Sequence, residues 1–165
     1  MNSLSLEIQT PDIIIFSADS GTGKGNLENI SKEDIRKFIE SKIIGSLNLL
    51  KMILDKDPER KIIAIWLSRS ITSKPKHLIL YSLVNAGLKS LVTELNTFYG
   101  NILNAYYLET PLVLPSTLGD SYINKYGNTS KVAQRPEEVA KRAIELINKK
   151  VSPGFIQLKN KEMRL

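Results

Sequence analysis

Apolar positions along the chain switch repeatedly between short continuous runs and longer stretches with helical spacing. Residues 12–17 carry Ile13, Ile14, Ile15 and Phe16 in succession, which predicts a strand buried on both faces. Ser31 stands three residues before Asp34 and just ahead of Ile35, Phe38, Ile39, Ile43 and Leu47. This predicts an N-cap and an amphipathic helix over about 31–55, with Pro58 marking the exit. A second strand is expected over 61–67, and a helix over about 77–98, where Leu80, Leu83, Val84, Leu88, Leu91, Val92 and Leu95 keep one apolar face. A third strand is expected over 101–108. Residues 109–134 hold Pro111, Pro115, Gly119 and Gly127 among many polar residues, and are expected to form a long loop or lid-like segment. Pro136 suits a first helical position and Glu137 and Glu138 suit the positive end of a helix dipole, so another helix opens at Arg135. A last strand is expected over 154–158. Alternating strands and helices predict a mostly parallel α/β sheet flanked by helices, with ligands at the carboxyl ends of the strands. Those ends fall at 17–21, 68–70 and 108–111.

Composition narrows the function classes. At 165 residues and 42% hydrophobic, the chain supports one domain with a real core, taken here as 1–165. It has no cysteine and one histidine, His77, which excludes a thiolate nucleophile, a disulfide framework and a histidine-rich metal cluster. The net charge is +6, but lysines are mixed with acids, as over 56–61, so the surface reads as solvated and no nucleic-acid partner is expected. The start lacks a signal-peptide pattern and the apolar runs are shorter than a membrane span needs, so a cytoplasmic protein without membrane association is expected.

Three local features carry candidate chemistry. Ser68 closes the second strand, and Tyr81 stands thirteen residues later on the following helix, in Tyr81-Ser82-Leu83-Val84-Asn85. The loop 18–25 reads Ala-Asp-Ser-Gly-Thr-Gly-Lys-Gly, a partial phosphate-binding pattern. It lacks the first glycine and the magnesium-binding hydroxyl, and its helix starts several residues too late. It supports an alternative reading as a phosphate or nucleotide module through Gly21 to Gly25. Ser68 has no Gly-x-Ser-x-Gly elbow, and His77 reads as a solvated helix-start residue, so a hydrolase is not expected. Trp66, Tyr106 and Tyr107 read as core, and Tyr122 and Tyr126 as anchors of the long loop, with covering a ligand as the alternative.

The Ser68–Tyr81 pair resembles the catalytic serine and tyrosine of the short-chain dehydrogenase/reductase family. Residues 11–18 resemble the family's strand that ends in an Asn-Asn-Ala-Gly signature, with Ala18 kept. Residues 41–45 resemble the segment that carries the family's structural asparagine, and the position holds Lys42. The family's lysine, four residues after the tyrosine, is Asn85. The resemblance implies an abbreviated Rossmann-like sheet matching the second half of the family's fold. It also implies a site of Tyr81, Ser68, Asn85 and Lys42, with Ser17, Ala18 and Thr110 at the cofactor's place. In the family the serine polarises a carbonyl, the tyrosine transfers a proton, and the lysine lowers the tyrosine pKa and holds the nicotinamide ribose. A phenol with its ordinary pKa near 10 is a weak acid–base group at neutral pH without a neighbouring cation. The family's glycine-rich cofactor turn would lie well ahead of Asp12, and eleven residues precede it here. The resulting expectation is a degenerate, non-catalytic relative that binds no cofactor and acts through binding or assembly. The alternative is an NAD(P)-dependent carbonyl reductase using Tyr81 and Ser68, with Lys42 as displaced cation and the cofactor site completed by another chain. The family pairs its subunits through the two long helices, so a homo-oligomer, or pairing with a fuller subunit, is expected through 31–55 and 77–98.

Overall fold

The computed structural model describes residues 10–17, 25–69, 76–126, 133–148 and 151–157. Four parallel strands form the main sheet in the order β1 (Ile13–Phe16), β2 (Ile62–Arg69), β3 (Leu103–Thr110), β6 (Gly154–Gln157). Between β1 and β2 run α1 (Lys32–Ile39), one π-helical turn (Glu40–Ile44) and α2 (Gly45–Lys56). A 3₁₀ turn (Lys76–Leu78) leads into α3 (Ile79–Tyr99), which connects β2 to β3. Between β3 and β6 lie β4 (Leu112–Val113), α4 (Thr117–Tyr126), β5 (Ala133–Gln134) and α5 (Pro136–Asn148), with β4 and β5 paired as a small second sheet. This is a mostly parallel α/β sheet flanked by helices.

Side chains alternate across the sheet as the pleat requires. Ile14, Ala64, Trp66, Leu103, Ala105 and Tyr107 pack with Phe38, Leu50, Ile53, Tyr81, Val84, Leu88 and Val92 in the core shared with α1–α3. Ile65, Tyr106 and Leu108 turn the other way, against Ala143 and Leu146 of α5. The expected core aromatics Trp66, Tyr106 and Tyr107 are all buried. Ser68 follows Ile62, Ala64 and Trp66 in the alternation, so the pleat directs it to the α3 side.

Several expectations change. The strand over 12–17 is not buried on both faces: Ile13 is 40% and Ile15 46% exposed, because β1 is the sheet's edge and no described helix covers that side of it. The helix over 31–55 has the expected cap, the Ser31 hydroxyl accepting from Asp34 N at 3.0 Å, but a π turn interrupts it. There Gly45 N–H bonds to Glu40 O, one residue beyond the α spacing. The segment 109–134 is not one long loop but holds α4 and two short strands. Its breakers are used differently from a loop's. Pro111 and Pro115 precede the helix, and Gly119 is required by a close approach rather than by a turn.

A Cβ at Gly119 would lie 2.5 Å from Val113 O and 2.7 Å from Ser116 Oγ. Ser116 Oγ accepts from Gly119 N at 3.0 Å and donates to Val113 O at 2.7 Å, so neither atom has room to withdraw. Gly119→Ala is expected to destabilise the fold by about 1–3 kcal/mol, read from the urea midpoint; an unchanged midpoint would show that this corner is loosely packed.

Candidate functional site

A cavity of about 620 Å³ opens at the carboxyl ends of β1, β2 and β3, the place where open parallel sheets bind ligands. Each wall follows from local structure. Ser17 leaves β1, Ser68 and Arg69 end β2, and Thr110 ends β3. The π turn presents Lys42 and the first turn of α3 presents Tyr81. Leu112, Val113 and Tyr122 close one side, and Val139, Ala140, Ala143 and Ile144 of α5 close another.

Of the residues expected in the site, Ser68, Tyr81, Lys42, Ser17 and Thr110 line this cavity. Ala18 lies outside the described residues, as do Gly21 to Lys24 of the phosphate-loop candidate. Gly25 is described, and its N–H donates to His77 O at 2.8 Å, while α1 begins only at Lys32. That geometry differs from a phosphate loop, whose amides face the ligand and whose chain runs straight into its helix.

Asn85 does not line the cavity but sits behind Ser68. Its Nδ2 donates to Arg69 O at 3.1 Å, which fixes the amide orientation and aims Oδ1 at Ser68. A carbonyl oxygen can only accept, so the Ser68 hydroxyl donates, at 2.6 Å. Ser68 has a single proton, and Asn85 takes it. The hydroxyl is therefore left with acceptor capacity only, and the Tyr107 phenol lies against it. Thr110 Oγ1 donates to Ser68 O at 3.4 Å, tying the ends of β2 and β3 together.

Tyr81 is almost fully buried, with its ring tilted against Phe38 at 5.4 Å between centroids. The Lys42 ammonium lies 5.9 Å from the Tyr81 ring centroid, and the residue is only 6% exposed. The structure thus returns a cation to the tyrosine's surroundings, from the π turn and toward the ring. Beneath the site, burial pushes the Tyr107 phenol up to about 12, with the Ser68 hydroxyl opposing the shift. Among the described residues no cluster of His, Asp or Glu could hold a metal ion.

Two parts of the site were not legible in the sequence. Arg69 stacks its guanidinium over the Tyr122 ring at 4.1 Å, and Tyr122 is buried on a helix rather than anchoring a loop. His77 does stand at a helix start, in the 3₁₀ turn ahead of α3, but it is partly buried rather than fully solvated, and its Nε2 lies 3.1 Å from the Tyr122 hydroxyl. Arg69, His77 and Tyr122 lie far apart in the chain, and no spacing in the sequence links them.

No family model matches the sequence, and no curated protein matches it. Solved structures do. An oxidoreductase of the short-chain dehydrogenase/reductase family from Burkholderia thailandensis superposes with a TM-score of 0.73 at 14% identity, covering 92% of this chain and 64% of that one. A 4-hydroxyisoleucine dehydrogenase mutant complexed with NADH and succinate gives 0.77 at 14%, covering 94% and 69%. A serine dehydrogenase complexed with NADP⁺ gives 0.74 at 17%, covering 99% and 72%. The fold is that of short-chain dehydrogenase/reductase structures. The chain spans 64% of the length of the first of them. With this fold, α3 is a core helix: it is apolar and long enough to cross a membrane by composition, and it spends that apolar face on the sheet.

His77 gives this site a pH signature. Burial lowers its pKa from the ordinary 6.5, and Arg69 and then Lys125 lower it further. Below pH 6.5 the unfolded chain gains a proton that the folded one refuses, so this contribution to stability is complete above pH 6.5 and is lost as pH falls through the lower folded value. Calorimetry should show a smaller fall in Tm between pH 7 and pH 5 for His77→Gln than for the parent; equal falls would mean that His77 titrates normally.

Proposed function

We propose that this protein is a short-chain dehydrogenase/reductase-like binding protein that holds a ligand in the strand-end cavity without transferring hydride. The observation that carries this reading is the donation of the Ser68 proton to Asn85. A serine that polarises a carbonyl must give its proton to the carbonyl oxygen, and this one gives it to an amide. The fold's chemistry also asks for a cation one turn after the tyrosine, and Asn85 supplies none. The described residues fit NAD(P) only in part. Ser17 and Thr110 offer polar groups to a nicotinamide, but Asn85, bonded to the end of β2 through both Oδ1 and Nδ2, is not among the residues lining the cavity, so it is not placed to hold a ribose there. In this reading the protein works without a cofactor, as a soluble cytoplasmic component.

Assembly belongs to the same reading. Ile44, Leu47 and Met52 are exposed along the π turn and α2, and Ile79, Leu83 and Phe98 along α3. These apolar positions are best buried against a second copy or a fuller subunit.

One observation favours a second reading, a carbonyl reductase dependent on NAD(P): the Lys42 ammonium near the Tyr81 ring. There Tyr81 would donate the proton, and Lys42 would supply the missing cation.

Titrating NADPH and NADH while following nicotinamide fluorescence, with a carbonyl panel present, separates the two. The binding reading expects neither saturable submicromolar binding nor carbonyl-dependent oxidation. Submicromolar binding with turnover would overturn it, and that turnover should then drop by about 10²-fold or more in Tyr81→Phe.

A further inference from the structure

We propose that the strand-end cavity takes a neutral ligand with a hydrocarbon body, recognised by burial of that body rather than by charge or by hydrogen bonds from the wall. The proposal rests on the binding reading above and names its ligand class.

The hydroxyls that line the cavity have committed their protons to the protein. Ser68 donates to Asn85 Oδ1 at 2.6 Å, and the Tyr107 phenol lies against it. Thr110 Oγ1 donates to Ser68 O at 3.4 Å. Ser116 Oγ donates to Val113 O at 2.7 Å and accepts from Gly119 N at 3.0 Å. A ligand carbonyl that left water for these groups would lose its hydration and find their donors occupied. The cations on the wall are engaged too. Lys42 lies by the Tyr81 ring, and both residues have further interactions within the protein. Arg69 lays its guanidinium on the Tyr122 ring at 4.1 Å, and the Tyr122 hydroxyl is within 3.1 Å of His77 Nε2.

What the wall leaves unmatched is apolar surface. Ile15, Leu67, Leu112, Val113, Val139 and Ile144 surround a volume of about 620 Å³, within the range of sites that bury most of a small molecule. The apolar lining continues to the rim, where Ile15 of β1 is 46% and Ile144 of α5 is 55% exposed. A hydrocarbon body gains from covering this surface whatever head group it carries, because apolar area removed from water is the driving term. An ionised head group gains little more from cations that the protein already partners, and it gives up hydration on entering. Recognition therefore follows the length of the buried body.

Isothermal titration of the full chain with 1-hexanol, 1-octanol, 1-decanol and octanoate tests this. Alcohol affinity should rise roughly tenfold for each two added methylenes, and octanoate should bind no more tightly than 1-octanol. Raising the salt from about 0.05 to 0.5 M should not weaken alcohol binding. Ile144→Asn changes an exposed rim position without touching the core, and should weaken 1-octanol by about threefold or more. Octanoate tighter than 1-octanol, affinity indifferent to chain length, affinity lost at high salt, 1-octanol binding unchanged in Ile144→Asn, or no alcohol binding would overturn the proposal. An NADPH titration with a carbonyl panel in the same buffer keeps the two failures apart. Absent alcohol binding without NADPH oxidation removes only the ligand class, whereas carbonyl-dependent NADPH oxidation removes the binding reading itself.

Discussion

The geometry of this site depends on how α3 is clasped to the sheet. Asn85 bonds both the Ser68 hydroxyl and the Arg69 carbonyl, so its amide grips the end of β2. Eleven residues later on the same helix, Asn96 does the same to β3: its Nδ2 donates to Ala105 O at 2.9 Å and its Oδ1 accepts from Ala105 N at 2.8 Å. Eleven residues are close to three helical turns, so both amides face the sheet. Ala105 lies one residue before β3 begins to pair with β6 at Tyr106, and the Asn96 amide takes the place of the strand not yet present there. Two side-chain clasps thus fix the height and rotation of α3 over β2 and β3. Tyr81, one turn before Asn85, inherits its position from them.

A second constraint comes from the π turn. One extra residue in the hydrogen-bonded ring at Glu40–Ile44 leaves Lys42 buried beside Tyr81. Such turns concentrate at functional sites because they place a side chain that regular helix would direct elsewhere. Together the clasp and the π turn exchange two chemistries. The position on the tyrosine's own helix carries an amide that consumes a serine proton, and a neighbouring helix carries the cation. The cavity lies at the carboxyl ends of the strands, with Ser68, Tyr81 and Lys42 on its wall.

Much of this was legible in the chain. Strand and helix alternation followed from isoleucine-rich runs and the long apolar face of 77–98, since burial of one face imposes its period on the residues. Ser68 and Tyr81 announced themselves by residue type and spacing, and the Ser31 cap by its Asp34 partner. Other elements left no such trace. The region 109–134 looked like loop because Pro111, Pro115 and Gly119 are breakers by propensity, while packing places the prolines ahead of α4 and uses the glycine for a contact. The exposure of Ile13 and Ile15 depends on which neighbours flank β1, and an apolar run carries no information about that. The donation from Ser68 to Asn85 is a matter of ångströms between residues seventeen apart, and the stacking of Arg69 on Tyr122 joins two segments that no periodicity connects.

The claim beneath the whole account is that the Ser68 proton belongs to Asn85. A double-mutant cycle of Ser68→Ala and Asn85→Ala, read by urea unfolding, measures that bond directly. A buried hydrogen bond of this kind predicts a coupling of about 1–2 kcal/mol between the two substitutions. Effects that add within about 0.3 kcal/mol would show the two side chains to be energetically independent and would return the serine's proton to the cavity.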